Sequence, residues 1–100
     1  MILLGIGKYP MQSSKEMVKR TMEIPRLPEY IKGKGNYIYT DGEGAVGLVI
    51  YEFDSDKADE AIEQIDKAYW RLYDVPGFRY QLIPLAKARD AAKKFLEIAQ

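Results

Sequence analysis

The sequence predicts a small α+β fold in which helices cover one face of an antiparallel β-sheet. The chain has 100 residues, which is enough for one hydrophobic core but not for two. Short runs rich in β-branched and aromatic residues alternate with stretches that have the spacing of amphipathic helices. Two of the β-rich runs are joined by a turn containing Asp41-Gly42, a dipeptide typical of β-hairpins.

The chain opens with a predicted strand and a predicted helix. Residues 1–9 alternate between two faces, and Pro10 ends the alternation. Ser13 and Glu16 have the spacing of a capping box, in which the hydroxyl caps the helix and the carboxylate reaches back. We expect this helix to end before Pro25, because a helix interior does not tolerate proline.

The next two elements are predicted to form a hairpin. Residues 36–40 and 45–53 are rich in Tyr, Ile and Val, and residues 41–44 separate them. Glycine and aspartate suit the left-handed positions of such a turn. This connection predicts that Thr40 opposes Ala45, with the pairing continuing outward from there.

The second half of the chain contributes one more strand and two helices. Residues 58–72 have the clearest helical stripe, because apolar residues recur at three- and four-residue spacing. Residues 78–83 follow as a fourth strand. After Pro84, residues 85–100 are predicted to form an appended C-terminal helix. Residues 1–100 are therefore predicted to be a single domain with the order β-α-β-β-α-β and one further helix.

This order most economically gives a ferredoxin-like fold, a four-stranded antiparallel sheet with two helices on one face. In that fold the first strand lies between the third and the fourth. Gly5, Gly7 and Gly47 fall on the same face of the sheet as Leu3 and Tyr51. Because glycines allow close approach, we expect the helices to pack on this face.

The opposite face of the predicted sheet is too apolar to lie in water. It gathers Ile2, Leu4, Ile6, Tyr37, Tyr39, Val46, Leu48, Ile50 and Ile83, with Lys8, Glu52, Arg79 and Gln81 among them. A sheet face in water normally carries polar residues, and monomers rarely expose an aliphatic patch of this extent. We expect a second copy to cover it around a two-fold axis; partial cover by the appended helix is the alternative.

Three segments carry a resemblance to a known group of proteins. They are the opening strand at residues 2–6, the strand-to-helix run at residues 49–56 and the entry to the last strand at residues 75–80. In these segments and in element order, the chain resembles the small dimeric α+β barrel proteins, in which two ferredoxin-like sheets pack face to face. The group includes cofactor-free monooxygenases, small-molecule degradation enzymes, ligand sensors and many uncharacterised proteins. The resemblance therefore implies a homodimer or higher homo-oligomer.

The chain contains neither cysteine nor histidine, which excludes several kinds of site. Without cysteine there is no disulfide, thiolate nucleophile, iron–sulfur cluster or thiolate zinc site. Without histidine the commonest metal ligand and the usual general base are missing. We expect no metal and no organic cofactor, so any chemistry must use carboxylates, lysine, arginine, tyrosine or hydroxyl groups.

The balance of charges limits the classes of partner that we expect the protein to bind. Its 15 acidic and 15 basic residues cancel, so it has no general attraction to nucleic acid or to an anionic membrane. The apolar residues 1–7 are too few to span a bilayer and have no basic leader. We expect a cytoplasmic protein that binds its own copies and a small molecule, with no nucleic-acid or membrane partner.

One end of the apolar face is the predicted ligand site. If the first strand lies between the third and the fourth, Lys8 and Arg79 approach each other there. Tyr37, Tyr39 and Gln81 belong to the same end of this face. Two cations with phenol and amide groups suit a carboxylate or another small anion. The alternative is that both cations lie at the rim and pair with acids.

Glu52 is the candidate catalytic residue, because it is the only acid in residues 45–53. A carboxylate in apolar surroundings can act as a general base. The alternative is that Glu52 reaches solvent, a lysine, or the cations of a second copy.

Three functions are open at this point. The first is a dimer that binds or senses a small organic or anionic ligand between its sheets. The second is a cofactor-independent enzyme, monooxygenase- or isomerase-like, in which Glu52, Lys8 or a tyrosine takes the proton. The third is an assembly protein whose apolar face is fully occupied by its partner. Fold alone does not choose among them.

Overall fold

Four strands and three α-helices make up the structure, a computed structural model that describes residues 1–99. In chain order they are β1 (Ile2–Tyr9), α1 (Ser14–Glu23), β2 (Lys32–Thr40), β3 (Ala45–Glu52), α2 (Ala58–Trp70), β4 (Arg79–Leu85) and α3 (Ala88–Ala99). The strands form one four-stranded antiparallel sheet, so the prediction of a small α+β fold is confirmed. None of the helices within residues 1–99 is long and apolar enough to cross a membrane.

The sheet has the strand order β2-β3-β1-β4. Its hairpin has the register that the turn predicts, with Thr40 opposite Ala45. Asp41 holds this turn, because its carboxylate accepts hydrogen bonds from the backbone N–H groups of Glu43 (2.8 Å) and Gly44 (3.0 Å). A turn fixed in this way sets the pairing of the residues further along both strands.

β2 is longer than the strand predicted at residues 36–40, because it begins at Lys32. Residues 32–35, which extend the strand beyond the prediction, also pair with β3. Their pairing contains a β-bulge, at which the register shifts between Gly33 and Gly35. Glycine often marks such a bulge, since an extra residue must be accommodated in one strand. Beyond the bulge the pairing continues until Lys32 lies opposite Glu52.

Helices α1 and α2 pack on the face that carries Leu3 and Tyr51, which we call the helix side; the other face is the open face. Leu3, Ala61 and Ile65 are almost completely buried there. Met17 of α1 belongs to a second buried cluster on the same side. Burial of one large aliphatic side chain stabilises the fold by about 1.5–3 kcal/mol. The helix side therefore holds the core of the molecule.

The glycines of the helix side do not all have the role that the sequence suggests. A Cβ at Gly5 would overlap the hydroxyl of Tyr69, and a Cβ at Gly7 would lie 3.2 Å from the ring of Phe78. These two glycines therefore make room for aromatic side chains. A Cβ at Gly47 would meet nothing closer than the carbonyl oxygen of Gly7, at 3.9 Å. The expectation of close helix approach is wrong at Gly47, which borders empty space.

The capping box predicted for α1 is also absent. A 3-10 turn, Met11–Ser13, precedes the helix, and Ser13 makes no side-chain cap. Its buried hydroxyl instead donates a hydrogen bond of 2.6 Å to the carbonyl oxygen of Pro76. Glu16 accepts a bond from Arg20 one turn later. The serine thus ties α1 to the α2–β4 connection, because it faces that segment and not the first turn of its own helix.

The appended helix starts later than the sequence predicts. β4 continues through Pro84 to Leu85, and α3 begins at Ala88, so the predicted boundary at residue 85 is wrong. Proline is tolerated in β4 because this is an edge strand, where a missing N–H need not break the ladder. Gln100, the last residue of the predicted helix, lies outside the described residues.

α3 contributes no buried residue to the domain. Its apolar side chains Phe95, Leu96 and Ile98 are mostly exposed. The Cα radius of gyration is 15.6 Å, whereas a compact chain of this length has about 13 Å. The described part of the molecule is therefore elongated, with an amphipathic helix whose apolar stripe no other segment of residues 1–99 covers.

Candidate functional site

The open face is apolar along most of its length and is not covered by α1 or α2. Its aliphatic side chains are only partly buried, apart from Val46, which is 3% exposed. The partly buried members are Ile2, Leu4, Ile6, Leu48, Ile50 and Ile83. An antiparallel sheet face in contact with water usually carries polar residues, so an aliphatic face without helices over it calls for another covering layer.

Lys8 and Arg79 lie directly opposite each other at one end of this face, in the register of β1 with β4. On its other side Lys8 opposes Val46, which in turn opposes Tyr39. One row across the sheet therefore reads Tyr39, Val46, Lys8 and Arg79, as expected from the sequence. Directly opposed residues have Cβ atoms about 4.5–5.5 Å apart, so the two cationic side chains start side by side.

The predicted ligand cluster is divided into two parts. Lys8, Arg79 and Gln81 border a hollow of about 310 Å³, together with Ile6 and Tyr80; we call this the open-face hollow. Tyr37 and Tyr39 do not border it. Both tyrosines lie on β2, two strands away from β1 and roughly 10 Å from it. The structure thus brings the cations and the amide together and leaves the phenols at the far edge.

Neither Lys8 nor Arg79 forms an ion pair within residues 1–99. The ion pairs of this part of the chain join Arg20 to Glu16 and Asp74, and Lys67 to Glu63. Like charges directly opposite each other in a sheet repel. An anion placed between the two cations would relieve that repulsion and accept charge-assisted hydrogen bonds.

Glu52 lies at the other end of the open face. It is exposed, and in the sheet it opposes Ile2 on β1 and Lys32 on β2. Lys8 is six positions after Ile2 along β1, which places Glu52 about 20 Å from the two cations. Glu52 and the open-face hollow of one chain therefore cannot act on the same small molecule, and a catalytic role for Glu52 stays a prediction.

Tyr51 is buried and Tyr69 and Tyr80 are half-buried, and all three are held in their neutral form. Burial raises the pKa of Tyr51 and of Tyr69, whose hydroxyl groups share a hydrogen bond of 3.3 Å. Burial, together with the hydrogen bond that its hydroxyl donates to Asp66, raises the pKa of Tyr80 to about 12. A tyrosine acts as a base only when ionised, so these three phenols are unsuited to take a proton at neutral pH.

A larger hollow, of about 510 Å³, lies on the helix side; we call it the helix-side hollow. Gly7, Gly47 and Val49 border it from the sheet, and Val18 borders it from α1. Sequence reasoning missed this feature. The one available signal was Gly47, a glycine facing the helices in the middle of an otherwise apolar strand.

No family model matches the chain, and no curated protein matches it. Among solved structures, the chain is similar to the crystal structure, at 2.40 Å resolution, of a DUF3240 family protein from Shewanella baltica OS155. The two are 13% identical, the alignment covers 86% of this chain and 91% of that chain, and the TM-score is 0.36. A likeness at this level assigns neither fold family nor function.

Proposed function

We propose that the chain is a ferredoxin-like homodimer that binds a small organic anion between its two open faces, at Lys8, Arg79 and Gln81. The observation that carries the proposal is the direct opposition of Lys8 and Arg79, without an acidic partner for either within residues 1–99. Two cations in this position need a counter-charge, and the hollow beside them has room for one.

The three polar side chains suit a carboxylate. Arginine offers a planar fork of donors that matches the two oxygens of a carboxylate, and lysine adds a compact point charge. The amide of Gln81 can donate to the anion or accept from a hydroxyl group beside it. The open-face hollow, at about 310 Å³, is at the small end of ligand pockets. We therefore expect a small carboxylic acid.

The aliphatic surface supports the homodimer. A two-fold axis would bring two identical open faces together and remove their aliphatic side chains from water. These side chains are already partly buried in the single chain, so covering them contributes only part of the roughly 1.5–3 kcal/mol that full burial of an exposed aliphatic side chain is worth. The sum over the face favours pairing, and the entropy of association opposes it.

One specific observation favours a second candidate, a protein whose open face serves assembly only. Glu52 and the pair Lys8–Arg79 lie at opposite ends of the same face. A two-fold axis perpendicular to the strands would bring Glu52 of a second copy to the cations. Glu52 would then be the counter-charge, and no ligand would be needed.

Binding of benzoate, acetate and inorganic phosphate, measured by calorimetry and amide NMR shifts, separates these candidates. Loss of a charge-assisted hydrogen bond costs about 1.5–3 kcal/mol, so K8Q and R79Q should each weaken carboxylate binding by roughly ten- to a hundredfold. K32Q, which removes a cation from the other end of the face, is the matched control and should bind normally. Unchanged binding in K8Q and R79Q, or no carboxylate binding at all, would reject the ligand site.

The distance between Glu52 and the two cations also makes a catalytic function less well supported than binding. Glu52 lies about 20 Å from the cations of its own chain, and Tyr51, Tyr69 and Tyr80 are neutral at physiological pH. Binding therefore has more support than proton transfer.

A further inference from the structure

We infer that the helix-side hollow is a second ligand site, which takes a neutral, largely apolar, ring-containing molecule. It lies on the opposite side of the sheet from the proposed anion site, between α1, α2 and the strands β1, β2 and β3. Tyr37, which the sequence predicted as a ligand of the anion, borders this hollow instead. The two sites share no polar side chain, so each can be tested without the other.

Gly47 keeps this hollow open. The apolar residues that border this hollow face solvent across it, so they lack the contacts that a close-packed interior would give them. Any larger residue at position 47 would fill part of the space, because a Cβ there would meet nothing within 3.9 Å. No packing contact of the chain explains the glycine, whereas a ligand lying against the strand would.

The lining determines the class of ligand. Among residues 1–99 no charged residue borders the hollow, so this part of the chain offers no counter-charge to an ion. The aromatic rings of Tyr69 and Phe78 lie parallel on one side, with their centres 6.4 Å apart, which suits contact with a flat ring. Asn36 and Thr21 supply a few hydrogen-bonding groups. A neutral ring with one or two polar atoms matches this combination.

The hollow has the size and the access that a ligand needs. About 510 Å³ falls within the range of small-molecule pockets, roughly 300–1,000 Å³. Val18 and Ile38 on its rim are 57% and 63% exposed, so the hollow opens to solvent. A ligand can enter without unfolding an element.

The neutral dye N-phenyl-1-naphthylamine, which fluoresces in apolar sites, is a suitable probe. We expect saturable binding at a single site per chain. G47V should weaken this binding by about tenfold or more, because the valine methyl groups would occupy the hollow. G33V is the matched control, since a Cβ at Gly33 in β2 meets nothing within 4 Å, and Gly33 does not border the hollow. It should bind the dye like the unmodified chain.

A second pair of variants covers the possibility that G47V perturbs the fold. V18W narrows the mouth from α1, and M22W places the same side chain on α1 away from the lining. V18W should weaken dye binding and M22W should not. K8Q should leave dye binding unchanged, which separates this site from the proposed anion site.

Three results would overturn the inference. The first is that the unmodified chain shows no saturable binding of the dye. The second is that G47V and the unmodified chain bind the dye equally well. The third is that the G47V substitution changes the oligomeric mass although the dye does not bind. The last would mean that a second copy occupies the hollow.

Discussion

Lys8 and Arg79 occupy directly opposed positions on β1 and β4, on the open face of the sheet, and neither pairs with an acid within residues 1–99. Both side chains are exposed in the single chain. The pair lies at the edge of an aliphatic surface, where covering by a second copy would remove water from around the charges. Two like charges that have lost their water require a counter-ion. Pairing of the open faces and binding of an anion at Lys8 and Arg79 are therefore expected to favour each other.

Removal of one cation should stabilise the ligand-free protein. We expect K8Q or R79Q to raise the free energy of unfolding by about 0.2–1 kcal/mol at low salt, since like charges no longer face each other. The gain should shrink as salt screens the repulsion. Urea unfolding at low and high ionic strength measures it. K32Q, which removes the cation opposite Glu52, is the control and should give no gain. A loss of stability in K8Q and R79Q would mean that the cations already have an acidic partner.

A charge in the middle of the open face should prevent self-association. Leu48 lies on the interior strand β3 and faces the same side as Ile6, its partner on β1. L48K would place a lysine inside the proposed interface, at a cost that the aliphatic contacts cannot offset. We expect the mass measured by light scattering to fall to that of a single chain. Y73K, at a residue 82% exposed on another surface, should leave the mass unchanged. A monomeric unmodified protein, or an L48K variant that still pairs, would contradict the proposed interface.

The glycines of the helix side should respond differently to alanine. G5A should destabilise the protein by about 1–3 kcal/mol, because the added methyl group overlaps the Tyr69 hydroxyl. G47A should be neutral, or stabilising by up to about 1 kcal/mol, because alanine loses less backbone entropy and meets no neighbour. Urea unfolding of both variants tests the pair. Adding Y69F to G5A should recover part of the loss, and equal effects of G5A and G47A would contradict the packing described.

Acid should weaken the contact between α1 and the α2–β4 connection. The hydrogen bonds from Arg20, at 2.7 and 2.9 Å, lower the pKa of Asp74. The folded state therefore binds the Asp74 proton less tightly than the unfolded state, so the ion pair contributes fully above the unfolded pKa, about 3.9. The contribution is lost as the pH falls through the lower, folded pKa.

The D74N variant isolates this effect. The unfolding temperature of the unmodified chain should fall more steeply below about pH 4 than that of D74N. At neutral pH the unmodified chain should be the more stable of the two, by a small margin because both side chains are partly exposed. Parallel pH profiles of the two proteins would show that the ion pair contributes nothing.

Local patterns in the sequence were sufficient to predict the strand pairing. The Asp41-Gly42 turn fixes the hairpin, and the alternation of apolar residues then fixes which side chains share a face. From these two constraints follow the opposition of Tyr39 to Val46 and of Lys8 to Val46. Register is predictable here because a shift of one residue would exchange the two faces.

Features that depend on the position of one element relative to another could not be predicted. The sequence pattern favours a strand that ends before Pro84. The strand continues through Pro84 because β4 lies at the edge of the sheet, where a proline is tolerated. Ser13 bonds to Pro76 because α1 lies against the α2–β4 connection, 63 residues away in the chain. The helix-side hollow depends on where α1 and α2 lie over the sheet, and helix placement is set by tertiary packing.

The most direct test is a crystal structure of the protein soaked with 4-bromobenzoate, whose bromine gives an anomalous signal. We predict two chains packed open face to open face, with the carboxylate bonded to Lys8 and Arg79 and the bromine in the open-face hollow. A dimer in which Glu52 of a second copy occupies that position would contradict the ligand site and leave assembly as the function of this face. Chains that do not meet through the open face, with no bromine near Arg79, would contradict both parts of the proposal.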